Sequence, residues 1–333
     1  MKRKIGINGF GRIGRNAARV ILGRTDVELV AINSGAAPES HAYLLSHDSV
    51  QGTFSRAVTY TDSSIGIDGN SVACFREKDP SKIPWQSLKV ETVLECTGKF
   101  TTTDTARAHM RDSVTQVVIS APAKDDTPTF VMGVNHQKWS GEQIVSNSSC
   151  TTNCIAPVLS VLDEQFGVIR GSMTTVHAAT DSQNLLDNSQ PKGIRDRRSA
   201  LVNLIPATSG SAKDVAKLFP HLKGVLPCRA VRVPTPTVSL IDLVVEVSKS
   251  VSPETVNAAF EHAKQAMLHG ILDVAAEELV STDYIGNPHS AVVDPFLTDV
   301  VSGTLIHVTA WYDNEWGYAN RLVDMAVHCA IKI

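Results

Sequence analysis

The sequence predicts an α/β chain of two domains: a doubly wound domain with a parallel sheet, then an α+β domain whose sheet is mostly antiparallel. Three observations carry this. Short β-rich runs alternate with helical stretches through the first 150 residues, the order that lays helices on the faces of a parallel sheet. A glycine-rich turn, Gly9-Phe10-Gly11-Arg12-Ile13-Gly14, leaves the first strand and opens the first helix. Near Cys150 the alternation stops, and beyond a polar, arginine-bearing stretch at 181–199 long β-type runs take over.

In chain order, Lys4–Asn8 reads as a strand, and Ile13, Ala17, Val20 and Ile21 recur at helical spacing after it. Val27–Asn33 is the second strand, followed by a helix near Ser40–Leu45; Thr92–Glu95, Gln116–Ser120 and Gln143–Ser146 are further strands. Ile155–Phe166 is a helix stopped by Gly167, and Gly171–Val176 is a strand that ends at His177. Thr237–Val247 and Leu305–Tyr312 are long β runs. Between them Pro253–His269 reads as a helix, with Ser252 as cap and proline at the first helical position. Residues 314–333 form the last helix, apolar at Leu322, Val323, Met325, Ala326 and Cys329. The expected domains are therefore 1–149, completed by the helix 314–333, and 150–313.

Composition bounds the function. A chain of 333 residues buries about three quarters of its unfolded surface and needs no disulfide or metal to hold a core. Hydrophobic and charged fractions of 43% and 20% exclude a disordered chain. Lys+Arg number 31 against 34 Asp+Glu, a net charge of -3, which argues against a nucleic-acid partner. No apolar run approaches the roughly 18 residues of a membrane span, and the basic start Met1–Lys4 leads into no apolar leader segment. Six cysteines without framework or metal-ligand spacing read as reduced thiols of a cytoplasmic protein, and no metal is expected.

The glycine turn has a mechanism. Gly9 permits the tight turn, Gly11 lets backbone approach a pyrophosphate, and Gly14 lets helix and strand pack closely. The helix N-terminus then faces the phosphates. In its strand–turn–helix frame the motif predicts a Rossmann-type NAD(P)-binding domain. An acidic residue about 20 positions on would bond the ribose 2′-hydroxyl and repel a 2′-phosphate. Ser34 stands there instead, and a serine brings no repelling charge.

Ser148-Ser149-Cys150-Thr151-Thr152-Asn153-Cys154 runs directly into a helix. Ser148 or Ser149 caps it, placing Cys150 in or beside the first turn. Free N–H groups and the helix dipole there favour a thiolate and can hold an oxyanion on an attacked carbonyl. Cys74, Cys96, Cys228 and Cys329 read as buried hydrophobes, and Cys154 as a spectator. A thiol nucleophile needs a base, for which His177 is the candidate.

These residues closely resemble the phosphorylating glyceraldehyde-3-phosphate dehydrogenase family. The resemblance rests on 7–15 (INGFGRIGR), 149–154 (SCTTNC), 232–236 (RVPTP) and 311–318 (WYDNEWGY). Supporting matches at 95–98, 120–126 and 175–178 keep the same order along the whole chain. The resemblance implies oxidation of D-glyceraldehyde 3-phosphate to 1,3-bisphosphoglycerate through a Cys150 thiohemiacetal and thioester, with His177 as base. By the same resemblance Thr180 and Arg232 would bind the substrate phosphate. Ser149, Thr151, Ser209 and Gly210 would hold inorganic phosphate, with Arg198 and Arg195 nearby. Gly9, Gly11, Arg12, Ile13, Gly14, Ser34, Lys78, Ser120 and Asn314 would bind the cofactor, Asn314 fixing the carboxamide unless it merely caps the last helix. A homotetramer is implied, with the loop 179–201 reaching a neighbouring subunit's cofactor.

Two departures from the family pattern point one way. Ser34 replaces the usual acid, and the loop reads Leu186-Asp187-Asn188-Ser189; both imply use of NADP as well as NAD. The alternatives are an erythrose-4-phosphate dehydrogenase, which tends to diverge in the stretch corresponding to 205–213, and a redox-sensing or moonlighting binding protein using Cys150 as sensor. The phosphate-binding residues favour the enzyme.

Overall fold

Residues 2–111, 113–189 and 193–330 are described by a computed structural model of the chain. They form two units, Met1–Ser148 with Ala319–Ile333, and Ser149–Tyr318. The last residues of the predicted C-terminal helix, 331–333, and part of the polar stretch, 190–192, lie outside the described residues.

In the first unit, β1 (Arg3–Asn8) runs through the glycine turn into α1 (Arg12–Leu22), then β2 (Val27–Asn33) and α2 (Pro38–Ser46). β3 (Val58–Tyr60), β4 (Ser64–Ile67) and β5 (Asn70–Phe75) follow, then β6 (Thr92–Glu95), α3 (Thr103–Ala106), β7 (Gln116–Ile119) and β8 (Ile144–Ser146). The eight strands make one sheet in the order β3-β4-β5-β2-β1-β6-β7-β8. From β5 to β8 every pairing is parallel; β3 and β4 add an antiparallel edge. β2, β6 and β7 are buried almost end to end, as expected of strands covered on both faces. Trp85, Val93, Val117 and Ile119 form part of the core on one face. Strand order reverses between β1 and β6, so the crevice at their carboxyl ends is the ligand position of such a sheet.

The second unit holds α4 (Cys150–Phe166), β9 (Val168–His177), β10 (Ile205–Thr208), α5 (Ser211–Leu218), β11 (Cys228–Arg232) and β12 (Ser239–Val247). α6 (Pro253–Gln265), β13 (Leu272–Val274), β14 (Ala291–Val301) and β15 (Leu305–Tyr312) complete it, and α7 (Trp316–His328) carries the chain back to the first unit. Its sheet, β10-β11-β9-β12-β15-β14-β13, is antiparallel except for β11 with β9 and β13 with β14. β12 alternates buried and half-buried residues along its whole length, the signature of one covered face. α4 buries most of its length, including Ile155, Leu159 and Leu162, and ends at Gly167, whose φ of 71° is left-handed.

Candidate active site

The turn before α4 sets the nucleophile. Ser148 takes a φ of 57°, and Ser149, not Ser148, caps the helix: its Oγ accepts from Thr152 N–H at 3.1 Å. Cys150 is thereby the first helical residue. His177 closes β9, and the parallel pairing of β9 with β11 sets it directly opposite Arg232. Cys150 Sγ lies 3.5 Å from His177 Nε2. His177 Nδ1 is 2.8 Å from Ala178 O and 2.6 Å from Arg232 Nη1.

Opposing influences act on the Cys150 thiol. Cys150 keeps some exposed surface, yet burial pushes its thiol above the ordinary value, outweighing the Arg232 charge and the Thr151 N–H that act to lower it. Burial first, and Arg232 second, lower His177 to about 4, against the smaller raising effect of its bond to Ala178 O. Cys154 is fully buried. Cys329 is also buried, but Cys74, Cys96 and Cys228 keep partial exposure, contrary to their reading as buried hydrophobes.

Beside the cysteine two helix N-termini converge. Ser149 Oγ lies 3.5 Å from Ser211 Oγ in the first turn of α5, and Ser209 Oγ accepts from Ser211 N–H at 3.2 Å. Gly210 is exposed, with no atom within 4 Å of where a Cβ would stand. Hydroxyls and first-turn N–H groups around an open backbone are the makings of an anion cradle. Ser211 is a residue the sequence reading passed over; a second serine at the start of a helix was the available signal. The Thr151 hydroxyl lies 3.0 Å from Tyr312 Oη. Arg198 is exposed and pairs with Asp187 at 2.9 Å. Thr180 is half-buried, its hydroxyl 3.0 Å from Ser182 Oγ.

Asn314 is buried and accepts from Ser239 Oγ at 2.9 Å. It does not cap α7: Asp313 Oδ1 accepts from Glu315 N–H and Trp316 N–H. The adjoining turn is strained, with buried Val238 at a φ of 65°, an uncommon state for a β-branched residue and one concentrated near functional sites.

The first unit fits a dinucleotide. Gly9 has a φ of 96°, and a Cβ on Gly14 would stand 2.1 Å from Gly9 O, so both positions require glycine. Gly11 is the exposed N-cap of α1, makes no side-chain cap bond, and has open space where a Cβ would be. That leaves first-turn N–H groups for a pyrophosphate. Ile13 is half-buried in that turn, while the Arg12 side chain pairs with Asp48 at 2.5 Å. Ser34 follows β2 and donates its N–H to Phe75 O at 3.0 Å, which brings exposed Arg76 into the neighbouring turn. Arg76 was not singled out from the sequence. Lys78 is exposed beyond it, and Ser120 follows β7, its N–H donating to Glu95 O.

A buried polar chain underlies this crevice. Asn33 donates to Asn8 Oδ1 at 2.7 Å, and Asn8 donates to Glu95 at 2.6 Å. Glu95 Oε2 lies 3.1 Å from His109 Nε2, and the Trp85 indole N–H donates to His109 Nδ1 at 3.2 Å. With Nδ1 accepting, His109 donates from Nε2 to the carboxylate. Asn33 also clasps the Glu77 backbone from both sides.

Comparisons agree with this picture. Residues 3–103 match the family model "Glyceraldehyde 3-phosphate dehydrogenase, NAD binding domain", and residues 149–314 match "Glyceraldehyde 3-phosphate dehydrogenase, C-terminal domain". The chain is 48% identical over 331 residues to "Glyceraldehyde-3-phosphate dehydrogenase 1" of Bacillus cereus, covering 99% of each chain. It is 44% identical to "Glyceraldehyde-3-phosphate dehydrogenase 2" of Bacillus subtilis, over 100% of this chain and 98% of that one. It is 45% identical to "Glyceraldehyde-3-phosphate dehydrogenase" of Geobacillus stearothermophilus, over 100% and 99%.

Proposed function

The chain belongs to the glyceraldehyde-3-phosphate dehydrogenase family, and from that premise we propose that it oxidises D-glyceraldehyde 3-phosphate to 1,3-bisphosphoglycerate with NAD and inorganic phosphate. The observation that carries this is Cys150 at the N-terminus of α4, 3.5 Å from His177 Nε2 and beside the Ser149–Ser211 cradle. Cys150 attacks the aldehyde carbon to form a thiohemiacetal, and the α4 N–H groups hold the developing oxyanion. His177 takes the hydroxyl proton as the thiohemiacetal is oxidised to the thioester. NAD, held by the turn at Gly9, Gly11, Arg12, Ile13 and Gly14, supplies the hydride acceptor when bound. Ser149, Thr151, Ser209, Gly210 and Ser211 then hold inorganic phosphate to displace the thioester. Thr180 and Arg232 bind the substrate phosphate, and Asn314 orients the carboxamide. Arg198 serves the cradle only if it releases Asp187. Full-length relatives bearing this family's name do not favour the erythrose-4-phosphate alternative.

Cofactor choice extends the proposal: NADP is used comparably to NAD. Ser34 brings no repelling charge, Arg76 stands in the adjoining turn, and Asn188-Ser189 lie exposed in their loop. The assembly is proposed as a homotetramer. In support, Leu185, Leu186, Ile194, Leu201, Val202 and Leu204 all expose more than half of their surface, more apolar area than a lone subunit leaves in water without a use. Among the described residues no helix is long and apolar enough to cross a membrane, and we place the enzyme in the cytoplasm. The deciding experiment is a steady-state assay with both cofactors in both directions on wild type and Cys150→Ser. The variant loses phosphorylating oxidation and keeps cofactor binding; retained turnover defeats the mechanism.

A further inference from the structure

Three buried hydroxyls stand in series behind the cysteine turn. Tyr312, the last residue of β15, is 2% exposed, and its Oη lies 3.0 Å from Thr151 Oγ1 on α4 and 2.8 Å from Thr175 Oγ1 on β9. Strand register sets this up. Ile241 of β12 pairs with Thr175 on one side and with Ala310 on the other, and Tyr312 stands two residues beyond Ala310. Thr175 and Tyr312 therefore leave the same sheet face, where Thr151 meets them. Each hydroxyl carries one proton, and among the described residues Thr175 Oγ1 has no partner but Tyr312. Were Thr151 to donate to Tyr312 and Tyr312 to Thr175, the Thr175 proton would be left in the core without an acceptor. Were both threonines to donate to Tyr312, the phenolic proton would be left so. A buried donor without a partner costs more than a spare lone pair. The polarity that strands no proton in the core is Thr175 to Tyr312 to Thr151, and it turns the Thr151 proton away from Tyr312. A hydrogen bond from the Thr151 hydroxyl is among the influences that lower the Cys150 thiol, so that proton faces the site.

We propose that Tyr312 is a positioning residue of the inorganic-phosphate site: its phenol donates to Thr151 Oγ1 and so aims the Thr151 proton at the phosphate that cleaves the thioester. A threonine in a helix divides between two rotamers, because its hydroxyl can turn back onto a carbonyl of the preceding turn. The bond to Tyr312 holds Thr151 in one of them. Thr151 sits in the first turn of α4 beside Ser149, whose Oγ lies 3.5 Å from Ser211 Oγ, so the held proton belongs to the same anion cradle. Burial, before the nearby cysteines, raises the phenol well above the ordinary tyrosine value, and it remains a donor. The order of events follows from the acceptors. Before acylation the Thr151 proton bonds toward the Cys150 sulfur; a thioester sulfur is a weak acceptor, so acylation frees the proton for the incoming anion. A phosphate oxygen then bonds to the thioester carbon, the carbon–sulfur bond breaks, and its electron pair leaves on Cys150. No proton passes along the hydroxyl series. This inference rests on Thr151 being a ligand of inorganic phosphate, as proposed above.

The test uses the whole enzyme with saturating NAD and glyceraldehyde 3-phosphate. Inorganic phosphate is varied in the steady state, and the first-turnover burst of reduced cofactor is followed without it. Tyr312→Phe keeps the ring that lies edge-on to His177 at 6.0 Å and removes only the hydroxyl. It is expected to raise the KM for inorganic phosphate about tenfold, the size of one lost bond to a charged group, with smaller changes in the aldehyde KM and in the burst. In a Thr151→Val background the same substitution should raise the phosphate KM no further, because its effect passes through Thr151; a merely structural defect would add. Thr175→Val leaves the phenol only Thr151 to donate to, and the phosphate KM should stay within about twofold of wild type. Near-UV circular dichroism checks each fold. An unchanged phosphate KM in Tyr312→Phe, an equal further rise on top of Thr151→Val, or a burst slowed as much as the KM is raised overturns the proposal. If Tyr312→Phe does not fold, Thr175→Val decides: a phosphate KM that rises or falls about tenfold contradicts the polarity. Wild type without phosphate-dependent turnover removes the enzyme reading instead; with that turnover present, the variants judge Tyr312 alone.

Discussion

Acid is the perturbation that tests the buried imidazole. His177 falls from an ordinary 6.5 to about 4 in the folded chain because burial and Arg232 disfavour its charged form. The unfolded chain therefore binds a proton that the folded chain refuses. The sign follows: the contribution is fully present above about pH 6.5 and is lost as pH falls through about 4. Each tenfold in proton affinity is worth about 1.4 kcal/mol, so the whole loss is about 3 kcal/mol. His177→Asn removes this titration and leaves other acid-labile groups in place. Denaturant unfolding of both proteins, followed by circular dichroism from about pH 7 to about pH 4, gives the comparison. Wild type should lose about 3 kcal/mol more than the variant over that range. Parallel curves would refute the lowered His177 pKa.

Three further predictions concern the anion-binding turns. Ser34→Asp should weaken NADP selectively and spare NAD, whereas NADP binding to wild type more than about a hundredfold weaker than NAD, roughly 2.7 kcal/mol, would end the dual-use proposal; titration of both cofactors decides. Ser149→Ala removes the α4 cap and one wall of the cradle; it should cost about 1 kcal/mol of stability and raise the KM for inorganic phosphate more than that for the aldehyde, as steady-state kinetics will report. Gly14→Ala drives a Cβ to 2.1 Å from Gly9 O, backbone that cannot yield; a loss of about 1–3 kcal/mol in thermal unfolding and weakened NAD binding are expected, and unchanged NAD affinity would contradict the role given to the turn.

The parts of the site written in local chemistry were legible. A glycine turn between strand and helix, a serine cap before Cys150 and a histidine at a strand end each depend on a few neighbouring residues. The parts that depend on pairing at a distance were not. Strands β3 to β5, β10, β11, β13 and β14 went unassigned, and β11 reads Cys-Arg-Ala-Val-Arg, two arginines three positions apart with no clear apolar stripe. Without β11 the opposition of Arg232 and His177 has no local signal. Nor does the turning of the Thr151 hydroxyl toward Tyr312, 161 residues away. Asp313 and Asn314 are equally good caps on paper, and only the hydrogen bonds of the folded chain give the task to Asp313. The lowered pKa of His177 follows first from burial, which neighbouring residues in sequence do not disclose.

The polar chain beneath the cofactor turn ends on a fluorophore. Trp85 is 1% exposed, and its indole N–H closes the series that runs from Asn33 through Asn8, Glu95 and His109. Indole emission responds to the loss of such a bond. With the other three tryptophans replaced by phenylalanine, the light from Trp85 would report the condition of the dinucleotide crevice from inside the core.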